Sequence, residues 1–190
     1  MSTLSTANTY SYEAYRERVS KDLHDKLQNL PEDHLIQYIQ LNETRMNRLD
    51  KTINLTDEVS LKLQQLKQKY TFYVISEGWC GDAAQILPVI NKIASFTSLI
   101  DLKIIFRDEN IDIMNQYLTN GTQSIPILVI FDANDNQIAV WGPRPKDAAA
   151  IIIEDKLKNG KVTDEGKTAL QLWYTKDKGI TIQNEIIALL

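Results

Sequence analysis

Apolar residues recur at every third or fourth position from Tyr10 to about Tyr70, a stretch with no glycine and a single proline. That period predicts helices. Tyr12, Tyr15, Val19, Leu23 and Leu27 form one stripe; Leu35, Ile36, Ile39 and Leu41 begin another after Pro31, which Asn29-Leu30-Pro31-Glu32 places at a helix start. Thr56 followed by Asp57 and Glu58 predicts a third helix, capped by the threonine, favoured by early negative charge and running to Lys69.

After Tyr70 the period changes. Thr71 to Ser76 is dense in β-branched and aromatic residues and predicts a strand, followed by the turn Glu77-Gly78-Trp79 and a helix from about Cys80 to Phe96. Leu102 to Phe106 reads as a second strand and Ile111 to Leu118 as a second helix. Ile127 to Phe131 and Gln137 to Trp141, joined by a polar loop, read as a hairpin. Gly142-Pro143-Arg144-Pro145 stops that strand and opens a helix to about Lys158. Thr163 to Lys176 and Ile180 to Leu190 follow as helices parted by Gly179. The order predicts an α/β fold: two parallel strands joined by a helical crossover, extended by an antiparallel hairpin into a four-stranded mixed sheet with helices on both faces. The expected organisation is a helical N-terminal extension packed on the core (1–69), the core (70–160) and C-terminal helices (161–190).

Composition narrows the function. Of 190 residues, 43% are hydrophobic and 24% charged, as in ordinary globular proteins. Lys and Arg number 21 against 25 Asp and Glu, so the net charge of −4 offers no surplus for a nucleic-acid backbone. No apolar run approaches the ~20 residues of a membrane span, and the first ten residues are polar where a secretion signal would be apolar. The chain therefore reads as cytoplasmic, with neither membrane nor nucleic acid as partner. A single cysteine, Cys80, excludes an internal disulfide and a cysteine-cluster metal site, and His24 and His34 fit no ligand pattern. No metal and no cofactor are expected.

Cys80 falls at a strand-to-helix junction, where unpaired amides and the helix dipole favour an anion and so a lowered thiol pKa; Glu77 and Asp82 oppose this. Trp79-Cys80-Gly81-Asp82-Ala83 resembles the active-site signature of thioredoxins. Pro88 matches the proline of that family's active-site helix. Pro126, in Ser124-Ile125-Pro126-Ile127, matches its cis-proline facing the catalytic sulfur. The resemblance, more narrowly to bacterial thioredoxin family proteins with a helical N-terminal extension, implies a thioredoxin fold and Cys80 as nucleophile. It also implies the amides of Gly81 to Ala83 as anion stabilisers, Trp79 as cover, and Ile125 and Pro126 as the substrate-facing backbone. Two positions depart from the family. Ala83 stands where the resolving cysteine would be, and Val74 stands where a buried aspartate serves that cysteine. Dithiol reduction is thereby excluded, and the paired losses fit a naturally single-cysteine protein.

A lone thiol can form a mixed disulfide with a low-molecular-weight thiol or a protein disulfide, or be oxidised and restored by an external thiol. The first expectation is thus a monothiol disulfide oxidoreductase with a solvent-reachable Cys80 acting in redox homeostasis. Arg107 and Arg144 are candidates for a cationic groove or, alternatively, surface residues in salt bridges. Glu43, Arg45 and Arg48 read as a salt-bridged helix face, with packing over the active-site edge as the alternative. Trp141 reads as core or as pocket lining. The rival function is a non-catalytic binding module on the same fold; a third reading is a dimer linked through Cys80. The sequence leaves the oligomeric state open.

Overall fold

The computed structural model describes residues 3–190. A 3-10 turn at Thr3–Thr6 precedes α1 (Tyr12–Asn29), α2 (Ile36–Thr52) and α3 (Asp57–Gln64). Then come β1 (Tyr70–Ser76), α4 (Ala83–Ser95), β2 (Ile100–Phe106), α5 (Ile111–Met114), β3 (Ile127–Phe131) and β4 (Gln137–Trp141), followed by α6 (Lys146–Asn159), α7 (Asp164–Asp177) and α8 (Ile180–Ile187).

The sheet runs β2-β1-β3-β4. β1 and β2 are parallel, with Tyr70 opposite Ile100; β1 pairs antiparallel with β3, and β3 with β4. In β1 the alternating residues Phe72, Val74 and Ser76 are buried on one face, and Tyr73 and Ile75 on the other; all five residues of β3 are buried too. A sheet buried on both faces needs cover on both, and the helices supply it. The architecture is the four-stranded mixed sheet of an α/β, thioredoxin-like fold. At the β2 edge, Tyr10 exchanges two backbone hydrogen bonds of 2.8 Å with Ile104. β4 forms the other edge, with Ile138 and Val140 exposed.

α4 is the central helix. It packs on α2, α8 and β2, and ten of its thirteen residues are buried, Pro88 among them. A proline inside a helix removes one backbone donor, a loss that burial among apolar neighbours from several elements outweighs here.

Several boundaries differ from the pattern-based expectations. Pro31 does not start a helix: α2 opens at Ile36, because Asp33 accepts from the Leu35 amide at 2.9 Å and holds Lys26 through its other oxygen, closing a turn first. α3 stops at Gln64, not Lys69, where the Gln65 amide reaches back to several carbonyls at once and tightens the last turn. α5 covers only Ile111–Met114; the chain then bonds at i→i+3 through Gln116 and Tyr117 and leaves the helix. β2 begins two residues early, because Tyr70 and Thr71 of β1 offer partners to Ile100 and Asp101. Leu27 and Leu41 are 45% and 48% exposed, so neither belongs to the buried stripes, whereas polar Asn42 is buried.

Candidate functional site

Three segments meet at Cys80: the loop after β1, the start of α4 and the loop before β3. The Cys80 amide donates to Glu77 O at 3.1 Å, and its carbonyl accepts from the Ala84 amide at 3.1 Å, so the chain turns helically before α4 proper. The Cys80 thiol donates to Ile125 O at 3.3 Å, and Sγ accepts from the Ala83 amide at 3.5 Å. The Ile125–Pro126 peptide bond is cis, as is Gly142–Pro143. Gly142 sits against the same loop at φ 123°, where a Cβ would run into the Pro126 carbonyl oxygen. Only glycine fits that approach.

The thiol itself corrects two expectations. Cys80 is 8% exposed, so it is buried at rest and not solvent-reachable. Its pKa is pushed up to about 12, against the lowering expected of a helix start. Burial is the largest cause and the Asp82 charge the second; the Ala83 and Asp82 amides and Arg144 lower it by less. The dipole and amides do act, but desolvation of the thiolate outweighs them.

Asp82 does not cap α4. Its carboxylate instead accepts the Tyr174 hydroxyl at 2.9 Å and pairs with Arg144 at 2.6 Å, all three being buried or half-buried. Gln85 ties the next turn to Gln171 at 2.9 Å, so α7 is fastened to the start of α4 at two points. Arg107 is likewise paired: it bonds Asp108, donates to Gln123 O at 3.2 Å and lies 4.7 Å over the Trp79 ring. Both groove candidates thus carry salt bridges. Trp79 is half-buried under a guanidinium, a contact that orients its indole. Trp141 is half-buried, donating to Glu185 at 2.7 Å.

α2 crosses the same loop. Asn42 Nδ2 donates to Gly78 O at 3.0 Å, Arg45 Nη1 donates to Asn42 Oδ1 at 3.0 Å, and Gly81 faces that nitrogen. The packing alternative for this helix is therefore the one observed. Asn42 and Tyr174 carry no motif and lie far from Cys80 in sequence. Their only sequence signal is a polar side chain at a position in the helical stripe.

Glu77 is 8% exposed, with Oε1 accepting the Asp108 amide at 2.8 Å. Burial raises its pKa from 4.5 to about 7, against the lowering effect of that amide. Because the folded value exceeds the unfolded one, the stability linked to this group is full below about pH 4.5 and is lost as pH rises to about 7, a total of about 3 kcal/mol. Glu77→Gln keeps an acceptor for Asp108 and removes the titration. Urea unfolding from pH 4 to 8 is expected to show a curve flatter by that amount; equal slopes for the two proteins would refute the assignment.

Two hollows in the surface, of about 430 and 450 Å³, reach neither Cys80 nor Trp79. Among the described residues no group of three or more His, Cys, Asp or Glu is gathered to hold a metal, and no helix is long and apolar enough to cross a membrane.

Sheet order, the helix following β1 and a cysteine at its start facing a cis-proline together define a thioredoxin-like protein. The chain belongs to the thioredoxin family: the family described as Thioredoxin matches residues 29–158, a span that includes α2 and α3. A thioredoxin of Pyropia yezoensis is 37% identical over 73 residues, which is 38% of this chain and 65% of that protein. The chain thus spans just under two thirds of that relative. Among solved structures, a protein of unknown function from Pseudomonas aeruginosa aligns with a TM-score of 0.61 and 20% identity, over 78% of this chain and 83% of that one. An HIV epitope scaffold aligns at 0.60 and 19%, over 80% and 88%. These two likenesses concern the fold alone.

Proposed function

We propose that this protein carries out thiol–disulfide exchange through Cys80 alone, forming a transient mixed disulfide with a low-molecular-weight thiol or a protein. The observation that carries the reading is the position of Sγ, 3.3 Å from the carbonyl that precedes Pro126. At that point an extended substrate would lay its own backbone beside the sulfur. Entry of the substrate replaces the hydrogen bond from the thiol to Ile125 O, freeing Cys80 to lose its proton to solvent. The thiolate attacks one sulfur of the incoming disulfide; a Cys80–substrate S–S bond forms, the original S–S bond breaks, and the second sulfur leaves as a thiolate that takes up a proton. A thiol from solution then attacks the mixed disulfide and releases Cys80, since Ala83 supplies no resolving sulfur. One reduced thiol suits a reducing compartment such as the cytoplasm.

Intact-mass measurement after incubation with oxidised glutathione tests this. One adduct is expected on the native protein, absent in Cys80→Ser and removed by excess thiol. No adduct between pH 7 and 9, or protein capture that survives Cys80→Ser, would point to the non-catalytic binding module instead.

A further inference from the structure

A guanidinium without an acid partner lies at the cysteine loop. Arg45 is half-buried on α2, and among the described residues it forms no ion pair; its hydrogen bond is to the neutral amide of Asn42. The same Nη1 lies 3.5 Å from the point where a Cβ on Gly81 would sit, next in sequence to Cys80. Burial is the main influence on its charge. The nearby carboxylate, Asp82, is committed to Arg144 and Tyr174, and Arg48, the next charge on α2, has the same sign. A half-buried cation that no carboxylate pairs with directly, and whose desolvation the Asp82 charge offsets only in part, is well placed to receive an anion.

We infer that Arg45 binds a carboxylate of the partner thiol, so that the Cys80 site prefers a small anionic thiol or disulfide over a neutral one. The inference rests on the reading of Cys80 as the exchanging sulfur. A small ligand suits Arg45 because α2 lies across the loop there, with Asn42 fixed to Gly78 O, and narrows the approach on the Arg45 side, away from the Pro126 backbone.

The test uses binding without exchange. Cys80→Ser protein is titrated with S-methylglutathione and with its dimethyl ester while the Gly81 amide is followed by NMR. The acid is expected to bind about tenfold more tightly than the ester, a preference that Arg45→Gln abolishes and Arg45→Lys largely keeps. Equal affinities for acid and ester, binding of neither, or a preference that survives Arg45→Gln would overturn the inference. Because the serine variant cannot exchange, a protein that binds the acid in this way yet forms no mixed disulfide would refute the exchange reading alone. A protein that forms the mixed disulfide without charge preference would refute only the role of Arg45.

Discussion

Arg144→Met is expected to destabilise the protein by about 3–5 kcal/mol, read as a lowered midpoint in urea unfolding at pH 7. The substitution leaves the Asp82 carboxylate buried, with the Tyr174 hydroxyl as its remaining side-chain hydrogen-bond partner and only the more distant charge of Arg45 to offset it. Breaking a buried pair from one side costs far more than the pair contributes as a whole, because the surviving charge keeps its desolvation penalty. Part of the loss is offset, since Arg144 Nε is buried with no hydrogen-bond partner and disappears with the side chain; the lower half of the range is therefore expected. Adding Asp82→Asn removes the stranded charge and should recover much of the loss. A loss below about 1 kcal/mol for the single variant would mean that Asp82 and Arg144 form an ordinary surface pair.

Alkylation of Cys80 should show an equally large effect. A pKa of about 12 against the ordinary 9.0 reduces the thiolate fraction at pH 7 roughly a thousandfold. The more basic thiolate is intrinsically the better nucleophile, which returns a factor of about 15–30. Iodoacetamide is thus expected to react some 30–60 times more slowly with the folded protein than with the same chain in urea, with restricted access slowing it further. The sign of the pH dependence follows: the rate should keep rising tenfold per unit through pH 9 and beyond, where an ordinary thiol levels off. A plateau near pH 9, or equal rates folded and unfolded at pH 7, would refute the burial argument. For exchange, the consequence is that Cys80 rests in a protected, neutral form and that reactivity depends on substrate entry.

Local chemistry made part of this legible in the sequence. The hairpin strands Ile127–Phe131 and Gln137–Trp141 lie where their β-branched runs and the polar loop between them place them. The position of Cys80 after β1 follows from the density of Thr71 to Ser76. What the sequence hid is long-range. Asp82, Arg144 and Tyr174 come from the start of α4, the loop after β4 and α7, and no spacing rule links them. Asp82 is legible in the sequence only as a charge that opposes the Cys80 thiolate, whereas its carboxylate is held by Tyr174 and Arg144. The thiol pKa departs from the helix-start expectation for a related reason: the helix start and the opposing Asp82 charge are visible in sequence, whereas the burial that dominates is set by elements distant along the chain. Pro31 shows the converse, a strong local signal displaced by the Asp33 turn.

The two sheet edges differ in what they allow. Tyr10 interrupts the β2 edge at Ile104 through paired backbone bonds and leads directly into α1, while β4 presents Gln137 to Trp141 without a charged residue or a proline. Of the two, β4 is the freer edge for strand addition. Two copies joined along β4 would cover that edge in both, which disfavours growth beyond a pair by this route.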